Sequence, residues 1–209
     1  MDLQGIQTKA FMNVFMIGYR KEILQLLELS NIIKHTMEII DNFLPKEQFI
    51  QLRTCISSTD FNWIYRPSVL GPVDLRSEEK VEYEKYNFQF IHPFYGENEF
   101  TSEHSKILEP TIQKLNPASI IRIKANLSTR SPTRLMQGFH VDHEILLDRM
   151  TTAVYYINTN DGKTIFEEGR EVDSVANRMV IFSGDQRHAG TTCTNRKIRT
   201  VINFNYIPF

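Results

Sequence analysis

A histidine and an aspartate stand two residues apart in this chain, at His140 and Asp142. In an extended strand, residues i and i+2 point to the same face, so both side chains can bind one metal ion. A second histidine, His188, follows the apolar run 179–182. Two histidines and one carboxylate form the facial triad typical of non-haem Fe(II) oxygenases. A structural zinc site would need a fourth protein ligand, which this motif lacks.

An arginine in the last apolar segment is a candidate anion ligand beside this metal. Strand alternation over residues 197–206 places Arg199 on one face with Asn203 and Asn205, and this face is polar enough to line a cavity. A buried guanidinium needs an anion, and its planar fork matches a carboxylate. Lys197 has the same strand parity and stays an alternative for this role.

The elements that must position these residues change from helical to strand-like along the chain. Residues 46–57, after Pro45, and residues 102–115 are predicted to be helices, whereas Asn160-Asp161-Gly162 is a tight-turn signal between two strands. Together these segments predict an α+β fold whose core is a two-sheet jelly-roll buttressed by N-terminal helices. The predicted strands are 38–44, 120–127, 151–158, 163–166, 174–182 and 197–206.

The N-terminal residues predict a separate element. Residues 1–36 have a roughly helical apolar spacing and are interpreted as a helical extension of a domain spanning 37–209. The apolar run 11–17 is too short to cross a bilayer, and no positively charged region precedes it. These features predict a soluble, cytoplasmic protein with no membrane partner.

Composition narrows the functional classes. The 209 residues include 24 Lys and Arg against 25 Asp and Glu, a formal net charge of −1. Because neither basic nor acidic residues dominate, the composition gives no indication that nucleic acid or an anionic membrane is a partner. The two cysteines, Cys55 and Cys193, form no CxxC pattern and do not support a disulfide framework.

Residues 118–206 resemble the catalytic core of the 2-oxoglutarate and Fe(II)-dependent dioxygenases. The resemblance is to the prolyl 4-hydroxylase-like branch, especially its small stand-alone bacterial and phage members, and residues 38–65 resemble their lead-in more loosely. Many prolyl 4-hydroxylases carry a lysine where Arg199 stands, so the resemblance does not imply a prolyl substrate. The matching stretches are 138–142, 154–158, 162–166, 177–182, 188–190 and 199–203.

This resemblance implies a double-stranded β-helix that binds iron through His140, Asp142 and His188. Arg199 would bind the distal carboxylate of 2-oxoglutarate, the co-substrate. With dioxygen, oxidative decarboxylation would release succinate and carbon dioxide and hydroxylate an organic substrate, either a peptidyl residue or a small molecule. Ascorbate would serve as a reductant.

The resemblance also implies secondary ligands of 2-oxoglutarate. Arg122 and Asn126 share a face of the strand 120–127, where relatives often place a residue that contacts the co-substrate. Tyr155 is the candidate on the next strand, with Tyr156 as the alternative, since only one of them can face the cavity. The long stretch between Asn126 and His140 is interpreted as a mobile lid.

Two other functions remain open from the sequence. The same iron chemistry could dealkylate nucleic acid, which would favour a basic groove with stacking aromatic residues. Alternatively, the chain could be an inactive metal-binding jelly-roll module. The sequence identifies neither the primary substrate nor the oligomeric state.

Overall fold

The computed structural model describes residues 37–69, 83–143 and 149–209, and these form two antiparallel β-sheets. The strands of the larger sheet are β1 (Glu38–Ile40), β2 (Ile64–Arg66), β3 (Gln89–Gly96), β4 (Glu99–Phe100), β5 (Pro117–Thr129), β6 (Thr151–Tyr156), β9 (Arg178–Ser183) and β11 (Ile198–Pro208). Their order in the sheet is β1-β9-β6-β11-β5-β3-β2, with β4 paired to β3. The smaller sheet consists of β7 (Lys163–Phe166), β8 (Glu171–Asp173) and β10 (His188–Gly190). Its order is β10-β7-β8.

Helices cover one face of the larger sheet. Helix α1 (Lys46–Ile56) begins after Pro45, and a 3-10 turn (Ser105–Leu108) leads directly into α2 (Glu109–Leu115). The buried face of α1 presents Phe49, Leu52 and Ile56 to the sheet. None of the described helices is long and apolar enough to cross a membrane.

The two faces of the larger sheet carry different side chains, as strand alternation requires. The helix-covered face is apolar and includes Ile123, Ala125, Tyr155, Ile202 and Phe204. The opposite face looks toward the smaller sheet and mixes polar groups with a second apolar cluster. That cluster contains Val154, Tyr156, Val180, Phe182 and Val201 from the larger sheet, and Phe166 and Val172 from the smaller one.

The predicted strand 174–182 is shorter in the structure, where it begins at Arg178. The chain forms β8, turns at Asn177, and then forms β9 in the other sheet. Asn177 has φ of 65°, a left-handed conformation that asparagine tolerates better than most residues. Its side chain donates to the carbonyl of Leu44 and accepts from the amide of Leu44 and the hydroxyl of Tyr155. The turn therefore ties the sheet to the segment before α1.

The Asn160-Asp161-Gly162 turn joins the two sheets instead of closing a hairpin, because β6 and β7 pair with different strands. Asn160 Oδ1 accepts from the amide of Gly162 at 2.9 Å. Asp161 accepts from the amide and hydroxyl of Thr194. The turn is thus held by side chains and by the loop before β11.

The stretch between β5 and His140 is paired with the smaller sheet, and its interpretation as a mobile lid stays a prediction. Bridges join Met136 to Thr191 and His140 to His188. The amide of Gln137 donates to the carbonyl of Gly190, and the amides of His140 and His188 donate to each other's carbonyls. The predicted extension, residues 1–36, lies outside the described residues.

Candidate metal and co-substrate site

The three predicted metal ligands meet at one point between the sheets. Ligand atoms of His140, Asp142 and His188 lie within 4.8 Å of one another. The mutual backbone hydrogen bonds of His140 and His188 bring the two imidazoles together, with ring centroids 4.9 Å apart and ring planes inclined at 42°. The ring of Phe182 lies 4.9 Å from that of His188 and fixes it from the apolar side.

Both imidazoles are oriented as metal-binding histidines usually are. Nδ1 of His140 lies 3.0 Å from the carbonyl of Gly138, and Nδ1 of His188 lies 3.1 Å from the carbonyl of Gln186. A carbonyl at Nδ1 assigns the proton to that nitrogen and leaves the Nε2 lone pair free. Burial lowers the pKa of His188 against the attraction of the Asp142 carboxylate, which favours the neutral, ligating form.

Asp142 is held as a carboxylate by an array of donors. Its side chain is only 4% exposed. Nδ2 of Asn203 lies 3.1 Å from Oδ2, Nδ2 of Asn205 lies 3.1 Å from the same oxygen, and a guanidinium nitrogen of Arg122 lies 3.3 Å from Oδ1. Burial alone would raise the pKa of Asp142, but these donors and the neighbouring histidines outweigh it and hold the pKa well below its ordinary value.

Arg199 is buried in the same cavity without an acidic partner among the described residues. It is 7% exposed, and Nε donates to Ser174 Oγ at 2.9 Å. One terminal nitrogen donates to Thr164 Oγ1 at 3.2 Å and to the carbonyl of Lys163 at 3.3 Å. Burial lowers the pKa of Arg199, and no carboxylate counteracts it. Because an unpaired buried charge is costly, this guanidinium is suited to receive an anion.

One cavity of about 770 Å³ contains the triad and Arg199. Its walls come from both sheets, and Val154 and Val201 form its apolar floor beside the polar groups. The volume is in the range of small-molecule sites. The donor set therefore fits a metal with two histidine ligands and one carboxylate ligand, and the guanidinium fits a carboxylate-bearing co-substrate.

The secondary ligands predicted from the sequence occupy different positions. Arg122 and Asn126 line the cavity, but the guanidinium of Arg122 is engaged with Asp142 and Asn205. Lys197 is exposed and precedes β11, whereas Arg199 points inward. The structure thus favours Arg199 over Lys197 as the anchor.

Tyr155 is placed away from the cavity, contrary to the prediction. It is fully buried under α1, against Phe43 and Phe49, and its hydroxyl donates to Asn177. The reason is that α1 packs on the face of the sheet that Tyr155 shares with Ile202, its pairing partner on β11. Tyr156 has the opposite parity and lies under the guanidinium of Arg199, 5.7 Å from it.

Sequence reasoning did not assign Thr164 and Ser174, the hydrogen-bond partners of Arg199. The hydroxyl of Tyr156 donates to Thr164, which in turn accepts from Arg199. Thr164 could have been found from the alternation in β7, where Thr164 and Phe166 are the buried positions. No local signal marks Ser174, since its role follows from the packing of the two sheets.

Comparisons with known proteins identify the fold. No protein-family model matches the sequence, and no curated protein matches it. The chain is similar to the crystal structure of an oxidoreductase of the 2OG-Fe(II) oxygenase family from Burkholderia pseudomallei. That similarity has 12% identity and a TM-score of 0.59, and it covers 84% of this chain and 85% of that one.

Two further structures extend the similarity to proteins with bound ligands. A prolyl hydroxylase from Trichoplax adhaerens, in complex with a hypoxia inducible factor peptide, is 15% identical, with a TM-score of 0.55 over 89% of this chain and 92% of that one. The epimerase SnoN, in complex with Fe3+, alpha ketoglutarate and nogalamycin RO, is 8% identical, with a TM-score of 0.57 over 88% and 84%. This chain therefore has the fold of the 2OG-Fe(II) oxygenases, and the double-stranded β-helix predicted from its sequence is confirmed.

Proposed function

We propose that this protein is a non-haem Fe(II)- and 2-oxoglutarate-dependent dioxygenase that hydroxylates an organic substrate. The observation that carries the proposal is the presence of the triad and an unpaired, buried Arg199 in one cavity. A triad alone could hold a metal in a purely structural role, and a buried arginine alone could bind any anion. Together they supply both halves of such a site, a metal centre with open positions and an anchor for the co-substrate.

Each residue of the site would have a distinct role. His140, Asp142 and His188 would hold iron, and Arg199 would bind the distal carboxylate of 2-oxoglutarate. Iron(II) with 2-oxoglutarate and dioxygen would supply the oxidising chemistry, releasing succinate and carbon dioxide.

Other contacts would maintain this arrangement. Asn203 and Asn205 would keep Asp142 ionised and correctly oriented, while Val154 and Val201 would exclude water from the space beside the metal. The similar structures contain a peptide in one case and a small natural product in another. An organic substrate of either kind is compatible with the cavity.

Nucleic-acid dealkylation receives less support from the site. Apart from the two histidines, no aromatic side chain is among the described residues that line the cavity. Base stacking on aromatic side chains is the usual means of binding an extruded or single-stranded base.

Cys55 and Cys193 are both free, which supports a reducing, cytoplasmic setting.

The test is the release of succinate from 2-oxoglutarate by the purified full-length chain, with Fe(II), ascorbate and oxygen supplied. We expect release that requires both iron and oxygen. His188→Ala should abolish it, and Lys197→Ala should leave it unchanged. A folded protein that binds iron but gives no release, even with broad mixtures of organic substrates, would favour the inactive metal-binding module.

A further inference from the structure

The cavity carries an excess of positive charge. Among the described residues that line it, Arg66, Arg122, Lys124 and Arg199 are cationic, and Asp142 is the one carboxylate. Iron(II) and 2-oxoglutarate carry equal and opposite formal charges, so binding both would leave this excess in place. A cavity with a cationic lining attracts anions and raises their local concentration.

Two of these cations have no partner that the proposed function supplies. Arg122 is engaged with Asp142, and Arg199 would be engaged with the co-substrate. Lys124 and Arg66 form no ion pair with a carboxylate in the described ranges, although both side chains line the cavity. An anionic ligand in the cavity could therefore contact both.

The cationic side chains of the cavity lie close enough to lower the pKa of Lys124 by mutual repulsion. Burial lowers its pKa to about 8, and repulsion by Arg122 and Arg66 adds to this effect against the attraction of Asp142. An anion placed between Lys124 and Arg66 would relieve both the repulsion and the loss of hydration.

The sheet register places these two cations on a common wall beside the metal site. Lys124 of β5 pairs with Asn203 of β11, which donates to Asp142. Arg66 lies on the edge strand β2, is exposed, and pairs with Gln89 of β3. Polar side chains between them, including Gln89 and Asn126, line the same wall and can donate to anionic oxygens.

We propose that the primary substrate is a small organic anion whose carboxylate or phosphate group binds Lys124 and Arg66. This inference rests on the proposed function and adds a substrate class to it. The anionic group would lie on the β5-β3-β2 side of the cavity, with the rest of the molecule extending toward the triad. Arg66, at the exposed rim, would make the first contact, and Lys124 the deeper one.

The experiment is calorimetric titration of the full-length protein loaded with Mn(II) and saturating 2-oxoglutarate, without oxygen. The probes are benzoate, phenyl phosphate and the uncharged benzamide, so that carboxylate and phosphate recognition are separated. Lys124→Gln and Arg66→Gln are compared with Lys46→Gln, an exposed residue at the start of α1 outside the cavity lining. Thermal unfolding confirms that each variant is folded, and Arg66→Gln changes only an exposed residue.

At least one anion should bind about tenfold or more tightly than benzamide, and each cavity variant should weaken it about fivefold or more. Lys46→Gln should leave that affinity unchanged. The inference is overturned if both anions bind no more tightly than benzamide, or if both cavity variants bind them like the unmodified protein. The titration of 2-oxoglutarate itself separates the two proposals, because failure of Mn(II)-dependent binding at that step contradicts the dioxygenase function instead.

Discussion

At the scale of single residues, the site depends on two buried charges with different surroundings, a carboxylate and a guanidinium. Asp142 receives more donors than an ordinary surface carboxylate, whereas Arg199 receives only hydroxyl and carbonyl acceptors. The first arrangement keeps the proposed metal ligand ionised. The second keeps a cation ready for an incoming carboxylate, at a cost in desolvation that the co-substrate would offset.

Replacing Arg199 by methionine should weaken 2-oxoglutarate binding at least about tenfold, because a charge-assisted, two-pronged contact is lost. Metal binding should be unaffected, since Arg199 contacts none of the triad residues in the described structure. The measurement is the increase in melting temperature that 2-oxoglutarate produces in Mn(II)-loaded protein. Lys197→Met is the matched control, and an equal loss in both variants would contradict the assignment of Arg199.

Lys124 should make stability depend on pH in the alkaline range. Its folded-state pKa of about 8 lies below the usual value for lysine, so the protonated form opposes folding. That opposition is complete below about pH 8 and disappears as pH rises toward the unfolded-state pKa of about 10.4. The free energy of unfolding of the metal-free protein should therefore rise relative to Lys124→Gln between about pH 8 and 10. Urea unfolding of both proteins measures it, and a constant difference would be inconsistent with the lowered pKa.

Much of this site was predictable from the sequence because strand alternation is a strong constraint. The face shared by Arg199, Asn203 and Asn205 follows from period two alone, and all three lie where that parity puts them. The same rule could not choose between Tyr155 and Tyr156, because both are large and both are fully buried. Only the packing of α1 against the sheet decides that Tyr155 faces the helices.

At the scale of elements, the turn before β7 controls the position of Arg199. A Cβ atom at Gly162 would lie 2.6 Å from Cδ of Arg199, 2.8 Å from Oδ1 of Asn160 and 3.0 Å from the carbonyl of Thr192. The backbone and the turn side chain leave little room for adjustment, so the arginine must move. This contact explains why a glycine stands at that position.

Gly162→Ala should therefore weaken 2-oxoglutarate binding at least about tenfold and also reduce stability, because it displaces a buried side chain. Gly96→Ala is the control, since a Cβ there meets nothing within 4 Å. Calorimetric titration of 2-oxoglutarate into both Mn(II)-loaded variants provides the comparison. Unchanged affinity in Gly162→Ala would show that the arginine is not held by this turn.

Asn177 should prove important for stability although it lies outside the cavity. Asn177→Ala removes the partners of the Leu44 amide, the Leu44 carbonyl and the Tyr155 hydroxyl, all of them buried. Asn98→Ala is a matched control, because Asn98 also has a positive φ, of 66°, but is exposed. We expect Asn177→Ala to lose about 2–3 kcal/mol more than the control in urea unfolding. Equal losses would mean that the side-chain contacts contribute nothing beyond the backbone conformation.

The strands were easier to predict than their connections. Helix α1 and the strands β5, β6, β7 and β11 fall where the sequence patterns placed them, within a few residues. The break between β8 and β9, and the pairing of the stretch before His140 with the smaller sheet, were not predicted. Both depend on hydrogen bonds to partners far away along the chain, and local patterns carry no information about such partners.

At the scale of the whole molecule, the two sheets of the described residues enclose a polar cavity between apolar layers. Helices α1 and α2 seal the outer face of the larger sheet, so its long strands can present polar side chains inward without losing their core. Structures only 8% and 12% identical share this fold. The architecture therefore tolerates wide sequence change, and the identity of the lining residues determines which ligands the cavity accepts.

The central claim is that His140, Asp142 and His188 hold iron beside an anchored 2-oxoglutarate. The most direct test is the visible spectrum of the metal-free protein, without oxygen, as Fe(II) and 2-oxoglutarate are added in turn. The predicted result is a weak charge-transfer band that requires both additions. The band should be absent in His188→Ala and should need much more 2-oxoglutarate in Arg199→Met. A folded, iron-loaded protein that shows no such band at saturating 2-oxoglutarate would contradict the claim and leave a metal-binding protein without this chemistry.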